Sequence, residues 1–449
     1  MVLHSLLRCL RWAFVLLLLA AQGRSAMSAD VWQLATSGAK SPIGQQFFGI
    51  HVHRLEGVER GPRVRPSPYR AEDPPNMRMW DAGVTWFDIN KRPGEFDFSR
   101  MDAYVALATQ RGARIIYPFG MTPAWASMRP DEPCPYGLGC SAPPRSLDDW
   151  KAYVRAVLGR YGGKLWMVEV WNEPYFSDFR EDRGQRASFY SGDAQTLVEM
   201  TRVVRQAIDE LSPSTLLCSP SFVGSAKRLD LYLEKGGGRY IDALCSHLYA
   251  QGTKDLARNV LEFRAVLARR GLSGLALLNT ESGVATDGPP VDSNAPDESA
   301  GRDAAARMAQ QVIVTAMSGI DSFYYYAWDN DHTGFFEPDG SPRPALSAWF
   351  AVKRWLTGVQ PRGCRESEAY AGVIICRAER AGLQQVWIWH ERPGKKELRL
   401  RTLWREISLG RAADSVQALF QEDMADVTAG VQAGAMRLGA SPVALTFRN

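Results

Sequence analysis

Between residues 47 and 328, short runs of apolar residues, rich in β-branched and aromatic types, alternate with longer stretches whose apolar positions recur at helical spacing. Repeated switching between these two patterns is the signature of consecutive strand–helix units. The apolar runs predict eight strands, at 47–52, 84–89, 114–119, 165–171, 215–219, 243–248, 275–280 and 322–328. The gaps carry helix signals. Ser99, with Asp102 three residues on, precedes Tyr104, Val105, Leu107 and Ala108 at helical spacing, and Gly112 ends the pattern. Similar patterns predict helices at 147–161, 194–211, 255–270, 302–317 and 344–356, with weaker ones after the first and fifth strands. Eight such units predict an α/β fold, a (β/α)8 TIM barrel over 29–356. A doubly wound sheet fits less well, because the first strand is not followed by a Gly-rich dinucleotide turn.

Past residue 357 the pattern becomes alternating runs punctuated by Gly, Pro and Asp, which predicts a small C-terminal β-sandwich domain over 357–449 with almost no helix. Trp387 and Trp389 share one face of a strand there and are expected to pack in the core or against the barrel. The polar segment 287–301, with Pro289, Pro290 and Pro296, is long enough to line a cleft. At the other end, His4, Arg8 and Arg11 precede an apolar run at 12–21 and then small residues, the pattern of a secretory signal peptide over 1–28. Ten apolar residues are too few to span a bilayer. The expectation is an exported protein, periplasmic or extracellular, with no stable membrane insertion once the leader is cut.

Composition narrows the picture. With 45% hydrophobic and 23% charged residues among 449, general disorder and fibrous repeats are excluded. The formal charge of +4 falls nearly to neutral without Arg8, Arg11 and Arg24 of the leader, so no nucleic-acid partner is expected. Cys9 also leaves with it. Of the remaining six cysteines, spacing favours disulfides between Cys134 and Cys140 and between Cys364 and Cys376, while Cys218 and Cys245 read as buried thiols. His51 and His53 stand two apart with no evident third ligand, and no zinc spacing occurs, so neither metal nor cofactor is expected.

In a barrel, chemistry belongs at the C-terminal ends of the strands. The fourth ends in Trp171-Asn172-Glu173-Pro174, and the seventh in Asn279-Thr280-Glu281-Ser282-Gly283. Two carboxylates facing each other across a barrel mouth suit glycosidic cleavage. Glu169 shares the parity of Glu173 but lies deeper, and is expected to be an ion-pair partner, with Arg78 as the candidate. His247 and Tyr249 end the sixth strand, and His51 on the first could meet sugar hydroxyls. Sugar rings stack on flat apolar faces, for which Trp86, Trp125 and Tyr175 are candidates. The run Asp329 to His332 reads as a solvated loop.

Several of these motifs carry a resemblance. The W-N-E-P at Trp171, the T-E-x-G at Thr280 and the Pro93-Gly94-Glu95-Phe96 turn resemble the retaining glycoside hydrolases of clan A. Arg78-Met79-Trp80-Asp81-Ala82-Gly83 and Gly120-Met121-Thr122-Pro123-Ala124-Trp125 resemble glycoside hydrolase family 39, especially bacterial exopolysaccharide (Psl-type) members, over about residues 47–328. The resemblance implies Glu173 as general acid/base, Glu281 as nucleophile, Asn172 on the sugar 2-hydroxyl, and Trp328 as a sugar platform. It also implies support of Glu281 by His247 or Tyr249. A raised pKa is expected for Glu173 and an ionised state for Glu281. The implied partner is a polysaccharide or oligosaccharide, and the implied activity endo-hydrolysis. The alternatives are a xylosidase-like exo-β-glycosidase, a transglycosylase and a non-catalytic carbohydrate-binding barrel.

Overall fold

The computed structural model describes residues 31–32, 41–55, 76–182, 189–284, 298–337, 339–391, 396–407 and 412–448. The expected leader and most of the 287–301 segment lie outside these. Eight parallel strands build the barrel wall: β1 Phe48–His51, β2 Asn76–Arg78, β3 Ile115–Phe119, β4 Met167–Val170, β5 Leu216–Cys218, β6 Ala243–His247, β7 Ala276–Ser282 and β8 Phe323–Tyr325; a two-residue strand, Phe222–Val223, adds to the sheet alongside β6. Each of the eight pairs with the next, and β8 returns to β1 through Phe323 opposite Phe48, so the sheet closes into the (β/α)8 barrel.

Seven of the eight strands lie within two residues of the runs that predicted them. The second does not. Residues 84–89 look like a strand because they are apolar and aromatic, yet Gly83 turns the chain at φ 66° and Thr85 opens a short helix, Trp86–Ile89. The Thr85 N–H donates to Asp88 Oδ2 at 3.0 Å, one half of a capping box. The true β2 is three residues long and carries two polar side chains, too brief for alternation to register. The helices Leu147–Tyr161, Ala194–Leu211 and Pro344–Leu356 coincide with their predicted spans, and the first two are capped by the side chains of Ser146 and Asp193.

Inside the barrel, Ile116, Met167, Cys218, Ala243, Cys245, Leu278 and Tyr324 form one apolar layer. Gly49 is required there: a Cβ on it would meet the Tyr324 ring at 2.2 Å. Cys218 and Cys245 sit on adjacent strands with Cα atoms 5.8 Å apart and are joined as a disulfide, which corrects the reading of two free thiols. The pairing follows from strand adjacency, which spacing in the chain does not reveal. Cys134–Cys140 and Cys364–Cys376 pair as expected.

The C-terminal region holds a five-stranded antiparallel sheet and a two-stranded one, but also two helices that the alternating pattern did not foretell, Leu400–Glu406 and Met424–Ala433. One face of the larger sheet, with Val373, Ile375, Val386 and Ile388, packs on Leu403 and Trp404 of the first helix and Met436 of the small sheet. Its other face, with Trp387 and Trp389 both buried, joins the barrel's core cluster. The two tryptophans therefore glue the domain to the barrel.

Non-reducing peptide mapping should recover Cys218 linked to Cys245. Alkylation of Cys218 in the denatured, unreduced chain would contradict this arrangement.

Candidate active site

One step above the apolar layer, toward the C-terminal ends of the strands, the interior turns polar. Arg78 from β2 is wholly buried and spends its donors on three strands. Its Nε meets both oxygens of Glu169 at 3.1 and 3.0 Å, and Nη2 reaches Glu169 Oε2 at 2.6 Å. Nη2 also donates to Asn172 Oδ1 at 2.7 Å and Ser221 Oγ at 3.1 Å, while Nη1 donates to Glu281 Oε2 at 2.9 Å. Glu169 is thus the ion-pair partner expected of it. Because a guanidinium can only donate, it takes the amide oxygen of Asn172 and leaves the buried Nδ2 without a partner, a donor beside Glu173.

Local backbone irregularities aim the two carboxylates. In β7 the register slips between Asn279 and Glu281, so that Glu281 rather than Thr280 stands opposite His247. The displaced Thr280 carbonyl accepts a hydrogen bond from His51 Nε2 at 3.0 Å. That carbonyl can only accept, so Nε2 carries the ring proton and Nδ1, 4.0 Å from Glu281 Oε2, is bare. After β4, Trp171 and Glu173 both adopt left-handed backbone, at φ 78° and 41°. Side chains tolerate this poorly, and it is maintained here by Trp171 N–H on Phe119 O at 2.7 Å and Glu173 N–H on Ser221 O at 3.0 Å.

Glu173 and Glu281 converge on His247. Its Nδ1 lies 2.7 Å from Glu173 Oε1 and 3.7 Å from Glu281 Oε1. One ligand atom from each of the three lies within 4.8 Å of the others, close enough to share a cation, although Arg78 already neutralises Glu281. Tyr249 donates its hydroxyl to Glu281 Oε1 at 2.9 Å. Burial pushes Glu173 up to about 7, opposed by Arg78, and burial likewise pushes Glu281 up to about 7, opposed by the same guanidinium. Burial also lowers His247 to about 4, so its imidazole is neutral. The hydrogen bonds divide the pair: Glu281 accepts from a guanidinium and a phenol, whereas Glu173 shares its hydrogen bond with a neutral imidazole. Glu281 therefore ionises first, and the shared proton stays on Glu173.

The other predicted residues are more dispersed. His51 is fully buried, backing Glu281 instead of facing solvent. Tyr175 is half-buried beneath the Arg228 guanidinium, 3.8 Å from its ring, and Arg228 pairs with Asp182. Trp86, expected in the cleft, is a core residue, since the segment carrying it is a helix and not a strand; its ring stacks on Tyr153 at 5.0 Å. Trp125 stands edge-on to Trp86 and donates to the Asn90 carbonyl at 2.8 Å. Trp328 is buried against Phe335 and Phe336 and offers no open platform. Asp329 is not a solvated loop residue: it is buried, accepting the backbone N–H groups of His53 and Arg54 at 2.9 and 2.8 Å. Beside the carboxylates the structure places instead the half-buried Tyr326, its ring 5.1 Å from His51, and Asp81, which accepts the Tyr326 hydroxyl at 2.5 Å. No periodicity signals these two; Asp81 does belong to the motif that begins at Arg78.

Two outcomes follow from this buried charge. Arg78→Met should cost about 3–5 kcal/mol in denaturant unfolding, because it strands Glu169 without a counterion. The folded pKa of Glu173 lies above its ordinary value of 4.5, so its ionisation opposes folding: stability falls as pH climbs from about 4.5 to about 7. Glu173→Gln should thus be more stable than the parent by on the order of 3 kcal/mol at pH 8 and no more stable at pH 4.

No family model matches the chain, and no curated protein does. Solved structures do. A family 39 glycoside hydrolase from the gut symbiont Bacteroides cellulosilyticus WH2 aligns over 91% of this chain and 83% of its own, at 14% identity and a TM-score of 0.62. The GH39 enzyme from Xanthomonas axonopodis pv. citri aligns over 91% and 95%, at 16% identity and a TM-score of 0.54. A GH30 endoxylanase from Clostridium papyrosolvens C71 aligns over 92% and 98%, at 10% identity and a TM-score of 0.54. At such identities the likeness is one of fold, and it extends beyond the barrel into the C-terminal sheets. The chain has the (β/α)8 fold of the clan A glycoside hydrolases.

Proposed function

We propose that this protein is an exported retaining β-glycoside hydrolase that cleaves a polysaccharide by double displacement. The observation that carries the reading is the spacing of the two carboxyls, whose nearer oxygens lie within 4.8 Å. Carboxyls brought this close from two strand ends can act together on one glycosidic bond, one as nucleophile and one as acid, at the closer of the two spacings that glycosidases use. The opposed settings of the pair support the same reading, one carboxyl being held ionised by Arg78 and Tyr249 and the other keeping its proton.

In the first step a Glu281 oxygen attacks the anomeric carbon as the bond to the leaving oxygen breaks. Glu173 delivers its proton to that oxygen. Neutral His247 shares a hydrogen bond with Glu173 Oε1 through Nδ1 at 2.7 Å and so holds the carboxyl in place for the transfer. In the second step the ionised Glu173 takes a proton from water, whose oxygen forms the new bond to the anomeric carbon and expels Glu281. Asn172 Nδ2 supplies a donor for the sugar 2-hydroxyl, a contact that strengthens as charge develops on the ring. Family 39 and family 30 enzymes among the structural neighbours support a carbohydrate substrate. The exopolysaccharide and its internal cleavage rest on the sequence resemblance, and export on the signal-peptide pattern.

Incubated with bacterial exopolysaccharides and plant β-glycans, the mature protein should release oligosaccharides. Early products should keep the β-configuration by NMR, and α-anomers appearing first would refute the retaining mechanism. Glu281→Gln should lose more than about 10³-fold in kcat. The basic limb of kcat/KM should fall near pH 7, as Glu173 loses its proton. Glu173→Ala should abolish that limb while still cleaving aryl glycosides whose leaving group needs no protonation.

A further inference from the structure

Asp81 lies three residues beyond Arg78, just past the end of β2, in left-handed backbone at φ 57°. Met121, Trp171 and Glu173 share that unusual conformation, and each follows β3 or β4 at the same mouth of the barrel. The two oxygens of Asp81 accept hydroxyls from opposite directions. Tyr136 donates to Oδ1, and Tyr326, just past β8, donates to Oδ2 at 2.5 Å. Tyr136 belongs to a small hairpin, Pro133–Cys134 against Gly137–Leu138, which the Cys134–Cys140 disulfide closes. Its ring stands edge-on to Trp80 at 6.0 Å and lies 5.9 Å from Phe189, yet the residue remains 40% exposed. The Tyr326 ring rests 5.1 Å from His51 and 5.0 Å from His53, and His51 Nδ1 lies 4.0 Å from Glu281.

We propose that Asp81 is a positioning residue for substrate, holding Tyr136 and Tyr326 as two aromatic walls of one sugar subsite beside Glu281, with the Cys134–Cys140 disulfide anchoring the hairpin that brings Tyr136 into place. The inference rests on the glycoside hydrolase reading and adds to it the residues that shape this subsite. Both phenols keep their protons, because burial and the Asp81 charge push them well above the ordinary tyrosine range, so both remain hydrogen-bond donors to Asp81. The two partly exposed rings offer apolar faces for sugar C–H groups. Their hydroxyls, fixed on Asp81, cannot swing away to admit water. Asp81 touches neither catalytic carboxyl directly and acts through the rings it holds.

The test compares Asp81→Ala, Asp81→Asn, Tyr326→Phe and the double variant Cys134→Ser/Cys140→Ser in the full mature chain. Asp81→Ala should raise KM for the cleaved polymer about tenfold or more while kcat stays within about threefold. Asp81→Asn, whose amide oxygen still accepts a phenol, should recover most of that loss. Tyr326→Phe and the double variant should move KM in the same direction by less. Hydrogen exchange should quicken in Asp81→Ala over 130–140 and just past β8 and nowhere else. A fall in kcat with KM unchanged, or faster exchange with KM unmoved, would overturn the proposal. If the parent cuts no polymer, the hydrolytic reading fails, and electrophoresis through gels cast with xylan, β-glucan or exopolysaccharide decides the subsite. Retardation of the parent that Asp81→Ala loses would uphold it, and equal retardation, or none, would overturn it.

Discussion

A guanidinium buried inside a barrel is the constraint on which the rest of this site depends. Removed from water, Arg78 must be neutralised and each of its donors accepted, or the fold would bear an uncompensated charge. Glu169 on β4 and Glu281 on β7 meet that demand, while Asn172 and Ser221 take the remaining directions. One side chain thereby sets the position of the ionised carboxylate and the face that Asn172 turns away, and it ties together β2, β4 and β7, which are not neighbours in the barrel wall. The cation cannot be separated from the anions it orders, so stability and chemistry draw on the same contacts.

Burial alone would make Glu173 and Glu281 alike, since it raises both. Their difference comes from what each accepts. Glu281 sits between a guanidinium and a phenol; Glu173 sits on a neutral imidazole whose own proton affinity burial has lowered. Two like groups in one dry site are thus assigned opposite tasks by donors a few ångströms away. The arrangement works against folding: a buried carboxyl that must ionise during turnover lowers stability at the pH where it does so.

The barrel was legible because its strands are apolar runs of ordinary length between amphipathic helices with recognisable caps, such as Ser146 and Asp193. The second unit resisted for a physical reason. Its strand, Asn76–Arg78, turns polar side chains to the interior, and the apolar segment that imitated it closes into a helix through Thr85 and Asp88. Trp86 therefore opens a helix and packs in the core, where a strand would have brought it to the cleft. Alternation and motif place Trp328 at the end of its strand, but whether Phe335 and Phe336 cover its ring is settled only when the chain folds.

From its sequence alone this protein had its repeat of strand and helix, its strand-end carboxylates Glu173 and Glu281, and the Arg78–Glu169 pair, since each follows from local pattern or parity. The tertiary structure decided what joins across closure of the barrel. Arg78 meets Glu281 across 203 positions, Tyr326 meets Asp81 across 245, and Cys218 finds Cys245 on the adjacent strand. It also decided that Glu281, and not Thr280, faces the interior, through a slip of register that simple alternation would not allow. Periodicity reports which face of an element is buried; which residues meet on that face is set by how eight strands close into a ring, and no local stretch of chain contains that information.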